Sequence, residues 1–248
     1  MPRCYRADLH VHTCLSPCAD LTMSPKRIVE TGLKKDLDII AVCDHNSAEN
    51  VAAAIKASRN TELTVLAGME ITSSEEAHVI GLFSTSDAAQ ILQDLIYENL
   101  TAGDNDERLF GAQIVVNEFD EIEGYNKRLL IGATNLTIGR IVDEIHRLKG
   151  IAIASHVDRE AYSIIGQLGF IPEDLDFDAL EISSALTIAE AKNRFPEIDK
   201  YTLVSSSDAH FLDDIGNAST QLMLEDPTLE ELRKAFRKID GRCVLSQA

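Results

Sequence analysis

Six of the seven histidines in this chain fall in short segments whose other polar residues are also metal donors. The segments are Asp8-Leu9-His10-Val11-His12, Asp44-His45-Asn46, Gly68-Met69-Glu70 with His78 beyond it, Ser155-His156, and Ser207-Asp208-Ala209-His210. Imidazole nitrogens and carboxylate oxygens together suit zinc, manganese or iron, and donors arriving from separate strands can hold more than one ion. The chemistry such a site performs is hydrolysis. A metal ion lowers the pKa of its bound water to about 7, so attack at neutral pH needs no nucleophilic side chain, and the ions neutralise charge that grows on a phosphate.

Each residue also has a plainer reading. His10 and His12 are two apart on a strand and so share a face, where two histidines rarely serve packing. His45 and His156, taken singly, read as core or loop histidines, and their place in the ordered set raises them. Glu70 ends an apolar strand and could be solvated, yet Gly68 before it implies a close approach of backbone. Asp8 and Asp44 are expected to fix ligand tautomers. Arg159, three residues past His156, can reach a substrate phosphate, because a guanidinium fork matches phosphate oxygens, or can pair at the surface with Glu160. Cys14 and Cys18 could form a thiol pair, but free cysteines more often act as small apolar fillers. His146 lies beside a helical apolar stripe and is given no chemistry.

The elements that must position these groups are short apolar runs at 5–10, 37–43, 63–71, 77–83, 151–155, 179–182, 202–206 and 243–246, several continuous in Ile, Val, Leu and Ala. Such runs suit strands buried on both faces. Between them, Ser24-Pro25 opens a helix, Ser47 caps another running to Ile55, and Ile138, Ile141, Val142, Ile145 and Leu148 recur at helical spacing before the Lys149-Gly150 stop. Asp226-Pro227 starts a last helix carrying Leu229, Leu232 and Phe236. Strand, helix, strand order with ligands after the strands describes a parallel α/β barrel with its site at the carboxyl ends. The segment 104–135 exceeds an ordinary connection and is expected to be an excursion over a barrel mouth, with a hairpin of its own.

A chain of 248 residues with 45% hydrophobic content can form one domain, here expected to span 1–248. There is no apolar run of membrane-spanning length and no secretory leader pattern, and the five scattered cysteines do not form a disulfide framework. A cytoplasmic protein is expected, with no membrane partner. The net charge of −18 opposes a broad grip on duplex nucleic acid, which needs a basic face, but it permits a small anion at a site made locally positive by bound cations.

The ordered set Asp8-Leu9-His10-Val11-His12-Thr13, Cys43-Asp44-His45-Asn46, Glu70, His78, His156 and Ser207-Asp208-Ala209-His210 resembles the polymerase and histidinol phosphatase (PHP) family. The resemblance implies a distorted seven-stranded (βα) barrel, TIM-like, holding two or three divalent ions (Zn, Mn or Fe) and hydrolysing phosphoesters. The metal ligands it implies are His10, His12, a loop residue, His45, Glu70, His78, His156, Asp208 and His210. Glu70 would bridge two ions, and Glu70, Asp208 and His210 would carry catalysis, with Arg159 binding substrate. His10, His12, Glu70, His156 and Asp208 are assigned to one pair of ions, with His45, His78, His210 and the loop residue completing that pair and a third. Relatives often carry Ser-Asp-Gly in the loop; here Ser16-Pro17-Cys18-Ala19-Asp20 stretches the spacing, leaving Asp20 as the first candidate and Cys18 as the second. The expected function is hydrolysis of a small phosphomonoester, nucleotide or histidinol-phosphate-like, by a metal-bridging hydroxide. The alternatives are a phosphodiesterase or exonuclease on short single strands, which 5% aromatic content without Trp supports little, and a non-catalytic metal-bound regulatory module. The expected partner is a small phosphorylated substrate, with no duplex nucleic acid.

Overall fold

The continuous apolar runs become strands covered on both faces, which is why they show so little alternation. In the computed structural model, which describes residues 1–245, they are β1 (Arg3–Val11), β2 (Ile39–Val42), β3 (Thr64–Thr72), β4 (His78–Phe83), β5 (Ile114–Val116), β6 (Ile122–Tyr125), β7 (Ile151–Ala154), β8 (Ala179–Ile182), β9 (Leu203–Ser205), β10 (Thr220–Leu224) and β11 (Cys243–Val244). The main sheet runs β11-β10-β1-β2-β3-β4-β7-β8-β9, and β5 pairs with β6 apart from it. A parallel bridge from Val11 to Ala209 brings the far edge back to β1. Strands β1 to β4 and β7 to β9 thus make a nearly closed, distorted α/β barrel.

The helices are α1 (Pro25–Lys34), α2 (Val51–Ala57), α3 (Ser86–Asn99), α4 (Glu107–Phe110), α5 (Ile138–Arg147), α6 (Ile164–Leu168), α7 (Ile188–Arg194) and α8 (Leu229–Phe236). The stripe on α5 buries Ile138, Ile141, Val142 and Ile145 against the sheet. Inside the barrel Leu9, Ile39, Ala41, Leu66, Ile80, Leu82, Ile151, Ile153 and Val204 form a second cluster, into which α8 packs Leu232 and Phe236.

Four details depart from the sequence reading. The barrel is not all-parallel: β4 runs antiparallel to both β3 and β7. Residues 73–77 alone separate β3 from β4, too few for the dozen or more residues that a parallel crossover needs, so the chain turns straight back. Strand β10, which pairs antiparallel with β1, has a sequence broken by Gln221 that gave no apolar run. Helices α2 and α8 begin at Val51 and Leu229; Thr228 caps α8 by accepting from the Glu231 amide, α2 has no side-chain cap, and Ser47 Oγ instead joins Gln93 and Tyr97. The strand expected over 243–246 covers 243–244, and Ser246 lies outside the described residues. No helix among the described residues is long and apolar enough to cross a membrane.

The stretch 104–135 holds α4 and the β5–β6 hairpin. Asn50 pins the hairpin, its Nδ2 donating to Ile114 O at 3.0 Å and its Oδ1 accepting from Val116 N at 3.0 Å. Asn46 Nδ2 donates to Leu130 O and Gly132 O, both at 2.8 Å, which carries Ile131 to the wall of the cavity described next.

Candidate metal centre

A β-bulge sets the first two ligands. Ala7 and Asp8 pair with Ile39 and Ile40, but Val11 pairs with Val42, so β1 holds one extra residue. Leu9 packs inside the barrel and Val11 outside it. The extra residue therefore turns His10 to the interior beside Leu9 while His12 stays on that side, which is how bulges re-aim side chains beside sites. The reversed direction of β4 places its first residue, His78, at the same end as the carboxyl ends of the parallel strands. Gly68 admits the close approach expected of it: a Cβ there would lie 2.5 Å from Cys43 Sγ and 2.8 Å from Val42 O. Past the ends of β2, β7 and β9, Asn46 (φ 51°), His156 (φ 26°) and Asp208 (φ 51°) have positive φ. Backbone in these sparse regions costs on the order of 1–3 kcal/mol per residue and clusters at functional sites.

Glu70 stands at the centre, 1% exposed. Its Oε1 lies 2.9 Å from His78 Nδ1, 3.3 Å from His156 Nε2 and 3.4 Å from His10 Nε2. Its Oε2 lies 3.0 Å from His45 Nδ1 and 3.5 Å from His12 Nε2. Asp208 Oδ1 is 3.0 Å from His12 Nε2 and 3.3 Å from His10 Nε2. Three donor groups converge to within 4.8 Å: His10, His12 and Asp208; His12, His45 and His210; and His45, Glu70 and His78. The cluster forms the floor of a cavity of about 300 Å³ walled by Cys18, Ile131, Arg159, Ala161 and Tyr162.

Neighbours fix which nitrogen each histidine presents. His10 Nδ1 lies 3.0 and 3.2 Å from the oxygens of Glu181, so it donates there and turns a bare Nε2 to the cluster. Ser16 Oγ donates to Asp44 Oδ1 at 2.6 Å and so accepts from His12 Nδ1 at 2.9 Å. His210 Nδ1 donates to the Asp208 carbonyl at 2.8 Å. Three Nε2 lone pairs are thus aimed inward, and two of them, on His10 and His12, lie 3.1 Å apart. Burial opposes charge on Glu70, but His78, His10 and His45 outweigh it and hold its carboxyl well below the usual range. Burial likewise opposes charge on Asp208, yet His10 and His12 hold that carboxyl low.

This donor set fits divalent cations. Two imidazole lone pairs at that separation repel unless a proton or cation lies between them, and His156 Nδ1 is buried without a hydrogen-bond partner. When bound, such ions supply an activated water and a positive field for phosphate oxygens.

Of the residues read from sequence, His10, His12, His45, Glu70, His78, His156, Asp208 and His210 are brought together. The donor clusters set His45 and His78 beside Glu70, and His210 beside His12 and His45. Arg159 borders the cavity and pairs with Asp208 at 2.7 Å, not with Glu160. Asp20 does not reach the cluster, because its Oδ1 caps the Thr22 amide and hydroxyl at 2.8 and 2.6 Å. Cys18 stands on the cavity wall instead. Burial raises its thiol, but His210 and His45 outweigh that and bring it down to about 6, whereas burial pushes Cys14 up to about 12.

Asp8 touches no histidine: it accepts from Ser207 N, Ser207 Oγ and Gly216 N, anchoring the loop that carries Asp208. Asp44 acts on His12 only through Ser16. The carboxylate that does hold a ligand directly is Glu181, which also accepts from His156 N at 3.1 Å. The sequence reading passed over it, although a glutamate inside the apolar run Ala179-Leu180-Glu181-Ile182 was the available signal.

Among solved structures, a novel lesion-specific endonuclease from Pyrococcus furiosus superposes with TM-score 0.78 at 17% identity, covering 98% of this chain and 58% of that one. Endonuclease Q in complex with a 27-mer duplex substrate, with an abasic lesion at the active site, superposes with TM-score 0.71 at 18% identity over 98% of this chain and 58% of its own. A putative metal-dependent phosphoesterase from Bifidobacterium adolescentis gives 0.59 at 15% identity over 96% and 98%. Among curated proteins, an uncharacterized protein of Methanocaldococcus jannaschii is 30% identical over 90 residues, 33% of this chain and 52% of that protein. A 5'-3' exoribonuclease of Haemophilus influenzae is 28% identical over 78 residues, 30% of this chain and 27% of its own length. The chain thus spans about half or less of the length of these curated relatives.

The comparison corrects the expected partner, a small phosphorylated substrate without duplex nucleic acid. A protein of this fold is crystallised on duplex DNA. The expectation rested on a net charge summed over the whole surface, while contact with a phosphate is governed by local charge, which cations held by the cluster would reverse. The chain matches the family described as PHP domain over residues 8–185 and the one described as PHP-associated over residues 199–240. The first of these covers more than half of the sequence, and the protein belongs to the PHP domain family.

Proposed function

We propose that this protein is a metal-dependent phosphoesterase that uses two or three divalent ions to hydrolyse phosphodiester bonds in nucleic acid, taking one nucleotide at a time into its cavity. The observation that carries this reading is the composition of that cavity. Its floor is the Glu70 cluster, and its wall sets a guanidinium and an aromatic ring beside the ligands. Tyr162, 47% exposed, stacks on His78 with ring centroids 4.8 Å apart, and Phe211, 54% exposed, directly follows His210. Exposed rings beside a phosphate site suit base stacking, which contributes about 1–3 kcal/mol per base without demanding sequence. A volume of about 300 Å³ suits a single nucleotide.

Within this reading Glu70 would hold divalent ions through both of its oxygens, which face different histidines. Glu181 and Ser16 keep His10 and His12 in the ligating tautomer. Arg159 leaves Asp208 to meet a non-bridging phosphate oxygen, and its fork geometry sets the orientation of the phosphate. The thiols at 4, 14, 18, 43 and 243 are all free, in keeping with the reducing cytoplasm expected for this chain.

The test is the purified chain reconstituted with manganese or zinc, its ion content measured by elemental analysis. It is then assayed on end-labelled single strands, on duplex with an abasic site, on nucleoside monophosphates and on other small phosphomonoesters. Cleavage of the nucleic acids that chelator abolishes and metal restores is the expected result. Faster turnover of small phosphomonoesters than of any nucleic acid would overturn the substrate class, and fewer than one ion per chain after reconstitution would overturn the metal reading itself.

A further inference from the structure

The loop after the first motif contains two candidate donors, and the fold separates them. Asp20 spends its carboxylate on Thr22 and its amide on the His210 carbonyl, at 2.9 Å, so it serves as the turn that closes the loop. That same turn delivers Cys18 to the wall of the cavity that His45 and His210 also line. Two independent observations mark the spot as a donor site. His12, His45 and His210 converge beside it, and His45, 5% exposed, already faces Glu70 Oε2 through Nδ1 at 3.0 Å, so its Nε2 is the nitrogen left for a further ion.

We infer that Cys18 is a metal ligand, its thiolate joining His45 and His210 as the donor that the loop contributes. The inference rests on the metal reading of the cluster but not on the substrate. Its chemical consequence is selectivity. A sulfur donor makes this part of the site softer than an all-nitrogen and oxygen set, favouring zinc or ferrous iron over manganese and magnesium. The position is accessible to solvent, whereas Cys14 and Cys43 are buried in the fold, so Cys18 is the cysteine of the loop that can take part in exchange with a metal in solution.

Two measurements test this on the full chain, and neither reads turnover. Reconstitution with cobalt(II) should give a near-ultraviolet sulfur-to-metal charge-transfer band in the parent that Cys18→Ser lacks and that no loss of fold explains, with circular dichroism as the check. In the unmutated protein, zinc loading should slow alkylation of Cys18 by about tenfold or more, read by peptide mass spectrometry, while exposed Cys4 reacts at the same rate with and without zinc. Cys18→Asp should shift metal preference towards manganese. A parent that holds its full complement of cobalt without the band, or a Cys18 alkylated equally fast with and without zinc, would overturn the inference. Absence of nucleic acid cleavage with the band present would instead remove only the proposed substrate.

Discussion

Glu181→Gln isolates the part of the centre that orients ligands without touching an ion. The carboxylate is 1% exposed and serves two donors, His10 Nδ1 at 3.0 and 3.2 Å and the His156 amide at 3.1 Å. Both donors share Oε2, so a glutamine with its oxygen there keeps two acceptances but loses the charge that strengthens them, and its NH2 group, in the place of Oε1, sits about 3.2 Å from the protonated His10 Nδ1. The preference for the proton on His10 Nδ1 weakens, and the Nε2–H tautomer that cannot ligate becomes competitive. One charge-assisted hydrogen bond contributes about 1.5–3 kcal/mol, which converts to roughly 10–100-fold in affinity, the range that losing a carboxylate behind a ligating histidine commonly costs. Competition against a chromophoric chelator should therefore show the tightest-bound zinc weakened by about that factor, with Glu181→Asp intermediate because its shorter arm lengthens both contacts. Nitrogen-15 spectra of the imidazoles would report the tautomer directly. A variant that binds zinc within about twofold of the parent, with His10 still protonated at Nδ1, would refute the positioning role.

Three further outcomes follow from the same geometry. Arg159→Ala should lower kcat/KM by about 1.5–3 kcal/mol with little change in melting temperature if the guanidinium meets the phosphate, whereas a drop in metal affinity with KM untouched would mean that it acts only through Asp208. His146, raised above its ordinary pKa by its hydrogen bond to Asp178 at 3.0 Å, contributes stability that is whole below an unfolded pKa of about 6.5 and fades as pH climbs through the higher folded value. The melting advantage of the parent over His146→Gln, below about 1 kcal/mol for a partly exposed pair, should thus be largest below about pH 6.5 and shrink as the pH rises above it; an advantage that grows with pH would contradict the assignment. Gly68→Ala should cost about 1–3 kcal/mol by denaturant melting, because its methyl would press on Cys43 Sγ and on the Val42 carbonyl, and a neutral result would show that β2 and β3 can separate there.

The candidate ligands were legible because a metal site must use donor residue types, and these stand out wherever strands are otherwise apolar. His10, His12, Glu70 and Asp208 could be named without any knowledge of the sheet. What they sit on was less legible, because direction and register are set by lengths and pairings rather than by residue type. Strand β4 reads as apolar whichever way it runs, and only the five-residue return from β3 decides it. The bulge in β1 leaves no mark in Leu9-His10-Val11-His12, where a regular strand and a bulged one predict the same facing pair for different reasons.

Residue type misled where a local hydrogen bond competed for the side chain. Asp20 has the right chemistry for the loop position, yet an aspartate two residues before a threonine closes its own turn more readily than it reaches across a cavity. Cys18 ranks second to Asp20 in the sequence, where a free cysteine more often reads as apolar filler, a reading that holds for buried Cys14. Asp8 and Asp44 have the chemistry to fix histidine tautomers, yet neither carboxylate bonds to a histidine. Asp8 precedes the bulge in β1 and His10 falls within it, so the two face opposite ways despite a spacing of two, and Asp44 lies past the end of β2, where it accepts from Thr13 and Ser16. The group that reaches His10 comes from another strand, β8, in the form of Glu181. Here the acid that fixes the histidine is the polar interruption of a different apolar run, Ala179-Leu180-Glu181-Ile182.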